Sequence, residues 1–453
     1  MPDILPVLLS LSPVLPKTTC LQLYRIVVAV LSMNGRITQL GISRWTQTGG
    51  SYRSIQRFFH TPIDWGALQW FFFERFVLDA EAVYLLGGDE TPVSKAGKHT
   101  YGVDQFFFST LQKVVPALAC FSFALIDVNK RDAYSISTQQ ILRTPEEKEQ
   151  AKKQKQKKKQ KPATKRGPGR PPGSKNKNKA LVTLSPELLR IKEQCEKLLA
   201  RIGNKLRLVY LVLDGHFGHS VACAMVRQLG LHLISKLPHN SRLFFLPTKE
   251  QKARHSRVKY GDRVDFAHLP EEKRYCRVTE DGYTTEGYHL HCLHPLFADP
   301  INVVILVRTH LESGRRGHVI FFTSDLTLAP EKLVEYYRLR FQIEFTFRDA
   351  KQHFGLEDFM AIKECAVTNS IGLSFFLVNL STYLLAPLRD FYPGAGVTDL
   401  KSFYQAQHFV REVLKSVSEK PDPIFCQALV ERICRRMLIH APQKPPEELD
   451  LAA

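Results

Sequence analysis

Apolar and polar positions alternate with helical spacing at both ends of the chain and with strand spacing in the middle. An amphipathic run from Leu21 to Met33 ends at Asn34-Gly35, a pair typical of helix ends. From Ala82 onward, apolar runs of strand length follow one another, and Val114 to Asp127 is apolar enough for a central strand. Strands in succession followed by helices predict an α/β fold.

Residues 1–78 are predicted to form a helical DNA-binding domain. Two short helices, Thr38 to Trp45 and Tyr52 to Phe59, are separated by Gly49-Gly50. Two helices joined by a tight turn suit DNA contact when basic side chains are exposed, here Arg44, Arg53 and Arg57. A helical cap that merely carries surface arginines explains the same residues equally well.

The rest of the chain completes the α/β pattern. An apolar strand is predicted from Leu206 to Asp214, and a β-rich insertion is predicted over residues 240–325. A long helix is predicted to begin at Pro330 and to end near His353. We therefore predict a central α/β domain over residues 79–352 and a helical C-terminal region over residues 353–453.

Positive charge is distributed unevenly along the chain. The formal net charge is +19, and residues 148–180 contribute +13 of it through fourteen Lys or Arg and one acid, Glu149. The stretch from residue 144 to residue 180 lacks the apolar residues that form a core, and disorder is predicted there. A polyanion is the expected partner of such a segment.

This basic insert contains an arginine–proline core between glycines, in the run from Lys165 to Lys175. The core resembles an AT-hook, in which an extended backbone and its arginine lie in the narrow minor groove of A·T-rich DNA. Arg170 is the arginine predicted to enter the groove. The alternative interpretation is a solvated basic linker.

Cysteines and apolar segments indicate a cytoplasmic protein without a membrane partner. The nine cysteines occur singly, with no Cys-x-x-Cys pair, which is typical of a reducing compartment. Met1 to Leu15 has no basic residue and three prolines, unlike a signal peptide. Ile371 to Leu388 is short for a membrane span and contains Asn379 and Pro387, so a buried core helix is expected.

Three acidic residues are candidates for one site. Two apolar runs end in Asp89 and Asp214, and ligands gather at the carboxyl ends of strands in open α/β sheets. On the predicted long helix, Glu344 shares a stripe of roughly 60° with three other polar residues, Tyr337, Arg340 and Lys351. Such a stripe is suited to metal and phosphate, although a solvated helix face with ion pairs has the same spacing.

Two blocks of sequence surround these acids. In the first, Asp89-Glu90-Thr91 is followed by Lys95, Gly97-Lys98-His99-Thr100 and Gly102-Val103. In the second, Tyr337, Arg340, Glu344 and Lys351 follow the spacing Tyr-x2-Arg-x3-Glu-x6-Lys. Together the blocks resemble the DDE transposases of insertion sequences, whose C-terminal signature has this spacing.

The resemblance implies a ribonuclease-H-like catalytic domain with a β-rich insertion before the helix that carries the glutamate. It implies that Asp89, Asp214 and Glu344 are catalytic and hold two Mg²⁺ ions, which Mn²⁺ can replace. Asp89 is chosen over Glu90 because it stands two residues before Thr91, as in the family pattern.

The resemblance also implies contacts and partners. Tyr337, Arg340 and Lys351 would contact phosphates or the cleaved end of the element, and Lys95 and Lys98 are further expected DNA contacts. Double-stranded DNA is the expected substrate, bound by a homodimer at the nucleoid of a prokaryotic cell. The basic insert is an addition that the family pattern does not require.

Three functions remain open at this point. The leading hypothesis is a transposase that cleaves the ends of its own insertion sequence and joins them to target DNA. A related endonuclease that cuts without integrating would use the same three carboxylates. A non-catalytic DNA-binding protein is the third hypothesis, but clustered carboxylates near phosphate would only weaken its binding.

Overall fold

The computed structural model describes residues 3–46, 49–95, 97, 99–108, 111–149, 182–254, 257–417 and 422–440. Residues 150–181 lie outside this part, and so does Lys98. The predictions for Arg170, for Lys98 and for most of the basic insert therefore concern residues outside the described part of the chain.

Five helices begin the described chain: α1 Ile4–Leu9, α2 Lys17–Ser32, α3 Gln39–Trp45, α4 Tyr52–Phe59 and α5 Trp65–Phe76. Side-chain caps determine where the later ones start. Thr38 Oγ1 accepts a hydrogen bond from the Gly41 N–H at 3.1 Å, and Asp64 Oδ1 accepts one from the Ala67 N–H at 2.9 Å. Each cap pairs an N–H that the first helical turn leaves without a partner.

Eleven strands of the described residues form one mixed sheet. In chain order they are β1 Tyr84–Ser94, β2 Asp104–Phe108, β3 Lys113–Asp127, β4 Ala133–Gln140, β5 Tyr210–Leu213, β6 His232–Leu237, β7 Phe244–Phe245, β8 Arg274–Glu280, β9 Tyr283–Leu293, β10 Ile301–His310 and β11 Arg316–Thr323. The order in space is β2-β3-β1-β5-β6-β11-β10-β9-β7, with β4 paired to β3 and β8 paired to β9. The expected α/β fold is present.

The strands around β1 determine where the acids lie. β1 and β3 are antiparallel, with Tyr84 opposite Asp127 and Ser94 opposite Ala117. β5 runs parallel to β1, with Gly88 opposite Leu213, the last residue of β5. The residue after β5 therefore lies beside the residue after Gly88. The strand predicted from Leu206 to Asp214 is shorter than expected, and Asp214 follows its end.

β4 is a strand that the apolar pattern does not predict. Its residues include Ser135, Ser137 and Thr138, and such polar residues conceal the alternation expected of a half-buried strand. The structure pairs the Ser122 and Thr138 hydroxyls at 2.8 Å across β3 and β4. A buried polar strand is thus stabilised by cross-strand hydrogen bonds rather than by apolar contact alone.

The strands of the predicted β-rich insertion extend the same sheet. β11 pairs antiparallel with β6, with Thr323 opposite Ile234. β10 and β9 follow in antiparallel order. Residues 240–325 therefore contribute strands β7 to β11 without forming a separate sheet.

The remaining helices are α6 Pro186–Ile202, α7 Ser220–Gln228, α8 Lys249–Arg254, α9 Pro330–Leu339, α10 Phe341–Gln352, α11 Glu364–Arg389, α12 Val397–Ser416 and α13 Pro423–Arg436. The predicted single helix from Pro330 is two helices that meet at Arg340. The Arg340 N–H bonds to the Tyr337 carbonyl at 3.2 Å, and the Ile343 N–H bonds to the Arg340 carbonyl at 3.0 Å. These three-residue spacings tighten the turn and interrupt the regular helix.

Helix α11 is the central helix of the C-terminal region. It is long and apolar enough to cross a membrane, the one such helix among the described residues, but 72% of its most apolar window is buried within the protein. Asn379 on this helix accepts a hydrogen bond from the Ser135 N–H at 2.9 Å and donates one to the Ser135 carbonyl at 2.6 Å. Asn379 therefore satisfies the backbone N–H and carbonyl of Ser135 in β4.

The N-terminal helices and the C-terminal helices share one hydrophobic core. Asn369 of α11 links them: its side-chain amide donates to the Phe59 carbonyl at 2.9 Å and to the Thr61 carbonyl at 2.7 Å. Its oxygen accepts a hydrogen bond from the Trp65 indole at 2.9 Å. This buried side chain satisfies the backbone between α4 and α5.

Replacing Asn369 should destabilise the whole protein. Asn369→Leu would leave two buried carbonyls and the Trp65 indole N–H without partners, and we expect a loss of roughly 2–4 kcal/mol in the free energy of unfolding. Urea denaturation followed by circular dichroism measures it. The exposed Asn204 provides the control, since Asn204→Leu should change stability by less than about 0.5 kcal/mol. Equal stability of the two variants would contradict the bridging role of Asn369.

Candidate active site

Asp89 lies inside β1 and not at the end of a strand, because β1 continues to Ser94. It follows two glycines. A Cβ at Gly87 would stand 2.5 Å from Cδ1 of Ile343 on α10, which is closer than side-chain atoms can approach. The missing side chain allows α10 to pack directly on β1. Glu344, the next residue after Ile343, is brought to the same part of the sheet.

Asp214 is held by the turn that follows β5. Its Oδ1 accepts a hydrogen bond from the His216 N–H at 3.1 Å, and its carbonyl accepts one from Ser235 Oγ at 2.6 Å. A Cβ at Gly218 would stand 1.7 Å from the Lys236 carbonyl oxygen. Only glycine fits there, so the turn can close tightly against β6 and fix Asp214 beside β1.

Arg340 connects the acids of the sheet and of the helix. Its Nη1 lies 2.5 Å from Asp89 Oδ2, and its Nη2 lies 2.7 Å from Glu344 Oε1. Only 13% of the Arg340 side chain and 19% of the Asp89 side chain are exposed, so this ion pair is better shielded from water than the pair with Glu344, whose side chain is 41% exposed. Its Nε is buried and has no hydrogen-bond partner among the described residues. The guanidinium therefore retains a donor that a further acceptor could use.

Electrostatics group the three carboxylates together. Burial raises the pKa of Asp89 to about 6, against the attraction of Arg340 and a hydrogen bond from the Glu90 N–H, and the negative charges of Asp214 and Glu344 raise it further. Like charges disfavour one another's ionisation when they lie close. The raised pKa of Asp89 thus results from burial together with two neighbouring acids, whose charges Arg340 only partly neutralises.

Glu90 faces away from this cluster. Neighbouring strand residues point to opposite faces of a sheet, and Glu90 lines a cleft of about 300 Å³ together with Arg143, Glu187 and His216. Burial and the nearby Glu187 raise the pKa of Glu90. Of Asp89 and Glu90, only Asp89 contacts Arg340.

Tyr337 and Lys236 border the acids. Tyr337 is buried, with 7% of its surface exposed. The Lys236 ammonium lies 4.8 Å from the centre of the Tyr337 ring. Burial lowers the pKa of Lys236, and the nearby Arg340 lowers it too, whereas Asp214 raises it. Sequence reasoning missed Lys236, since only the pairing of β5 with β6 brings it beside Asp214.

The other two predicted basic residues lie away from the acids. The Lys95 ammonium donates to the Glu357 and Phe359 carbonyls, at 3.0 Å each, and lies 3.5 Å from the centre of the Phe359 ring. Burial lowers the pKa of Lys95 to about 8. Burial also lowers the pKa of Lys351, whose nearest charge is that of Glu357. Both lysines thus border the segment after α10, and their DNA contacts stay predictions.

The acid cluster offers the oxygen donors that a divalent metal ion needs. As the side chains stand, no three His, Cys, Asp or Glu residues of the described chain are arranged to hold an ion. At this site the Arg340 guanidinium is bonded to both Asp89 and Glu344. The donor set nevertheless fits, because carboxylate oxygens are the protein ligands that Mg²⁺ prefers and three carboxylates interact here.

The chain matches the family model described as DDE superfamily endonuclease over residues 10–284. This match covers more than half of the chain, which therefore belongs to that family. It includes Asp89 and Asp214 and ends before Glu344. A search of curated proteins finds no significant match.

Replacing Asp89 should stabilise the metal-free protein at neutral pH. A carboxyl group with a raised folded-state pKa destabilises the fold above that pKa, and the effect disappears as the pH falls below its unfolded value, about 3.9. With the pKa of Asp89 at about 6, Asp89→Asn should gain roughly 2–3 kcal/mol at pH 7.5 and nothing near pH 3.5. Chemical denaturation in EDTA at several pH values measures both quantities.

The control for this experiment is Asp325→Asn. Hydrogen bonds from Tyr210 and Thr327 outweigh burial and hold the pKa of Asp325 below its usual value. That substitution should therefore lower stability at pH 7.5. A stability loss in Asp89→Asn at the same pH would show that Asp89 is a structural ion-pair partner and not a strained member of an acid cluster.

Proposed function

We propose that the protein is an insertion-sequence transposase that cleaves the ends of its element and joins them to target DNA. The observation that supports this most is the double ion pair of Arg340 with Asp89 and Glu344, beside which the charge of Asp214 also acts on Asp89. Membership of the DDE superfamily endonuclease family implies a nuclease-type activity on DNA. The antiparallel β4-β3-β1 strands and the parallel β5 and β6 are consistent with a ribonuclease-H-like domain.

The three carboxylates would hold two divalent cations, Mg²⁺ or Mn²⁺, in this proposal. When bound, such ions stabilise the charges of the attacking and leaving oxygens in phosphodiester cleavage. The position of Asp89 on a central strand and of Asp214 in a closed turn gives two ligands on rigid elements. Glu344 is the third ligand and is more exposed than Asp89, with 41% of its side chain accessible against 19%.

Arg340 would exchange its carboxylate partners for a phosphate group. A guanidinium presents donors in a fork that matches phosphate oxygens, and the buried Nε of Arg340 has a donor to spare. Tyr337 and Lys236 would border the same phosphate. Lys351 and Lys95 would hold the segment after α10 that lies next to the DNA.

An endonuclease without integration activity is the second candidate. The matching family is described as an endonuclease family, which supports this candidate as much as it supports the transposase. Both enzymes would cut DNA through the same acids, so the products distinguish them. Joining of a cut end to a second DNA molecule belongs to the transposase alone.

The proposal also assigns a role to each region of the chain, an oligomeric state and a cellular compartment. Residues 1–78 would bind the ends of the element, residues 79–352 would form the catalytic domain, and residues 353–453 would support it. A homodimer would bring two ends together in a prokaryotic cytoplasm. The basic insert at residues 144–180, with Arg170, would add contacts to DNA.

Substitution of the acids should abolish cleavage and spare binding. Asp89→Asn and Glu344→Gln keep the shape of the side chains and remove the negative charge that a cation needs. We expect cleavage and strand transfer of DNA carrying the element's ends to fall at least 10³-fold in Mg²⁺, whereas the Kd for the same DNA stays within about threefold. Gel analysis of the cut and joined products measures both reactions.

Glu335→Gln provides the matched control, because Glu335 is an exposed acid of α9 whose pairing with Arg131 lies outside the cluster. It should cleave like the wild type. Mg²⁺-dependent cleavage retained in Glu344→Gln would remove Glu344 from the site. Cleavage without joining in the wild type would favour the endonuclease.

A further inference from the structure

Almost all of the net positive charge resides in two segments. Of the +19 of the chain, residues 148–180 contribute +13. Residues 242–263 contribute +5 through seven Lys or Arg and two acids, which leaves +1 for everything else. This second segment, here called the basic arm, is described by the structure except for residues 255 and 256.

The base of the basic arm is part of the sheet. Phe244 and Phe245, which form β7, pair with Leu293 and Cys292 of β9. Leu243 and Val264 are buried on the two sides of the base, and the Val264 N–H bonds to the Leu243 carbonyl at 2.9 Å. The arm therefore leaves the protein from a fixed position.

The tip of the arm has no packing that explains it. Helix α8 has no buried residue, and its start depends on a reciprocal cap in which the Thr248 N–H donates to Gln251 Oε1 at 3.0 Å. So short a helix is marginal in water without tertiary contacts. The residues of this helix contribute nothing to the hydrophobic core, and most of them are polar or charged.

Five basic side chains of the tip are exposed: Lys249, Lys252, Arg254, Arg257 and Lys259. None of them forms an ion pair with any residue that the structure describes. Several basic residues elsewhere do pair with acids, as Arg201 does with Asp64 and Arg274 with Glu271. Unpaired charges of one sign repel one another, and an anionic partner would relieve the repulsion.

The sheet register relates the base of the arm to β1, the strand that carries Asp89. Gly87, two residues before Asp89, lies on one row with Val212, Ile234, Thr323, Asn302 and His291. The next residue of β9, Cys292, pairs with Phe245 at the base of the arm. Six interstrand steps of about 4.8 Å, or at most roughly 29 Å, separate Gly87 from Phe245 at the base of the arm.

We propose that the basic arm is a second DNA-contact surface, which binds the phosphate backbone of duplex DNA away from the bond that is cut. This inference rests on the proposed function. The contact is independent of sequence, because lysines and arginines on a loop tip address phosphate charge. Tyr260, the aromatic residue of the tip, packs against Phe244 at 5.0 Å and supports the base.

The test replaces the five tip cations with glutamine and measures the Kd for a 40-base-pair duplex of arbitrary sequence at several salt concentrations. The slope of log affinity against log salt should fall by roughly 0.9 for each phosphate that the arm no longer binds, or by about 3–4 in all. The control replaces five ion-paired cations, Arg201, Lys205, Arg227, Lys415 and Arg435, with glutamine. It removes the same charge and should leave most of the slope.

A cleavage assay distinguishes the failure of this inference from the failure of the proposed function. At low salt and saturating DNA, the arm variant should still cut DNA with Mg²⁺, since its acids are intact. An unchanged slope in the arm variant, or an equal decrease in the control, would overturn the inference even if the wild type cuts. A reduced slope in the arm variant alone would support it even if the wild type cuts nothing.

Discussion

The double ion pair of Arg340 is the interaction on which the site depends. Asp89, Asp214 and Glu344 repel one another, and burial of Asp89 makes that repulsion stronger. A cation between the sheet and the helix that carry these charges offsets part of this repulsion. Arg340, bonded to Asp89 and Glu344, supplies it within the chain. The same charges explain why a divalent cation suits the site.

Close packing of backbone makes this interaction possible. Gly87 admits Ile343 of α10 onto β1, and Gly218 admits the turn after β5 onto β6. A methyl group at Gly218 would collide with the Lys236 backbone, whereas one at Gly87 would displace the ends of the Ile343 and Ile126 side chains. The tightened turn at Arg340 then directs its guanidinium towards Asp89. Rigid strands, and not loops alone, thus position two of the three acids.

Much of this arrangement could be predicted from the sequence. The α/β fold and the start of the helix at Pro330 follow from apolar periodicity and from helix-start signals, which are local. Asp89 was expected at a strand end and lies inside β1, because local pattern does not show where a strand stops pairing. The break at Arg340 and strand β4 were missed, since both depend on tertiary hydrogen bonds. Lys236 could not be found, because it joins the site only through the register of β5 and β6.

If the three acids form one cation site, removing the charge of any one of them should weaken metal binding. The direct test is calorimetric titration of the DNA-free protein with Mn²⁺, comparing the wild type with Asp214→Asn and Glu344→Gln. We predict that each substitution weakens Mn²⁺ binding at least tenfold, although the two acids lie on separate elements of the fold. Binding in Glu344→Gln that equals that of the wild type would show that the acids do not form one site.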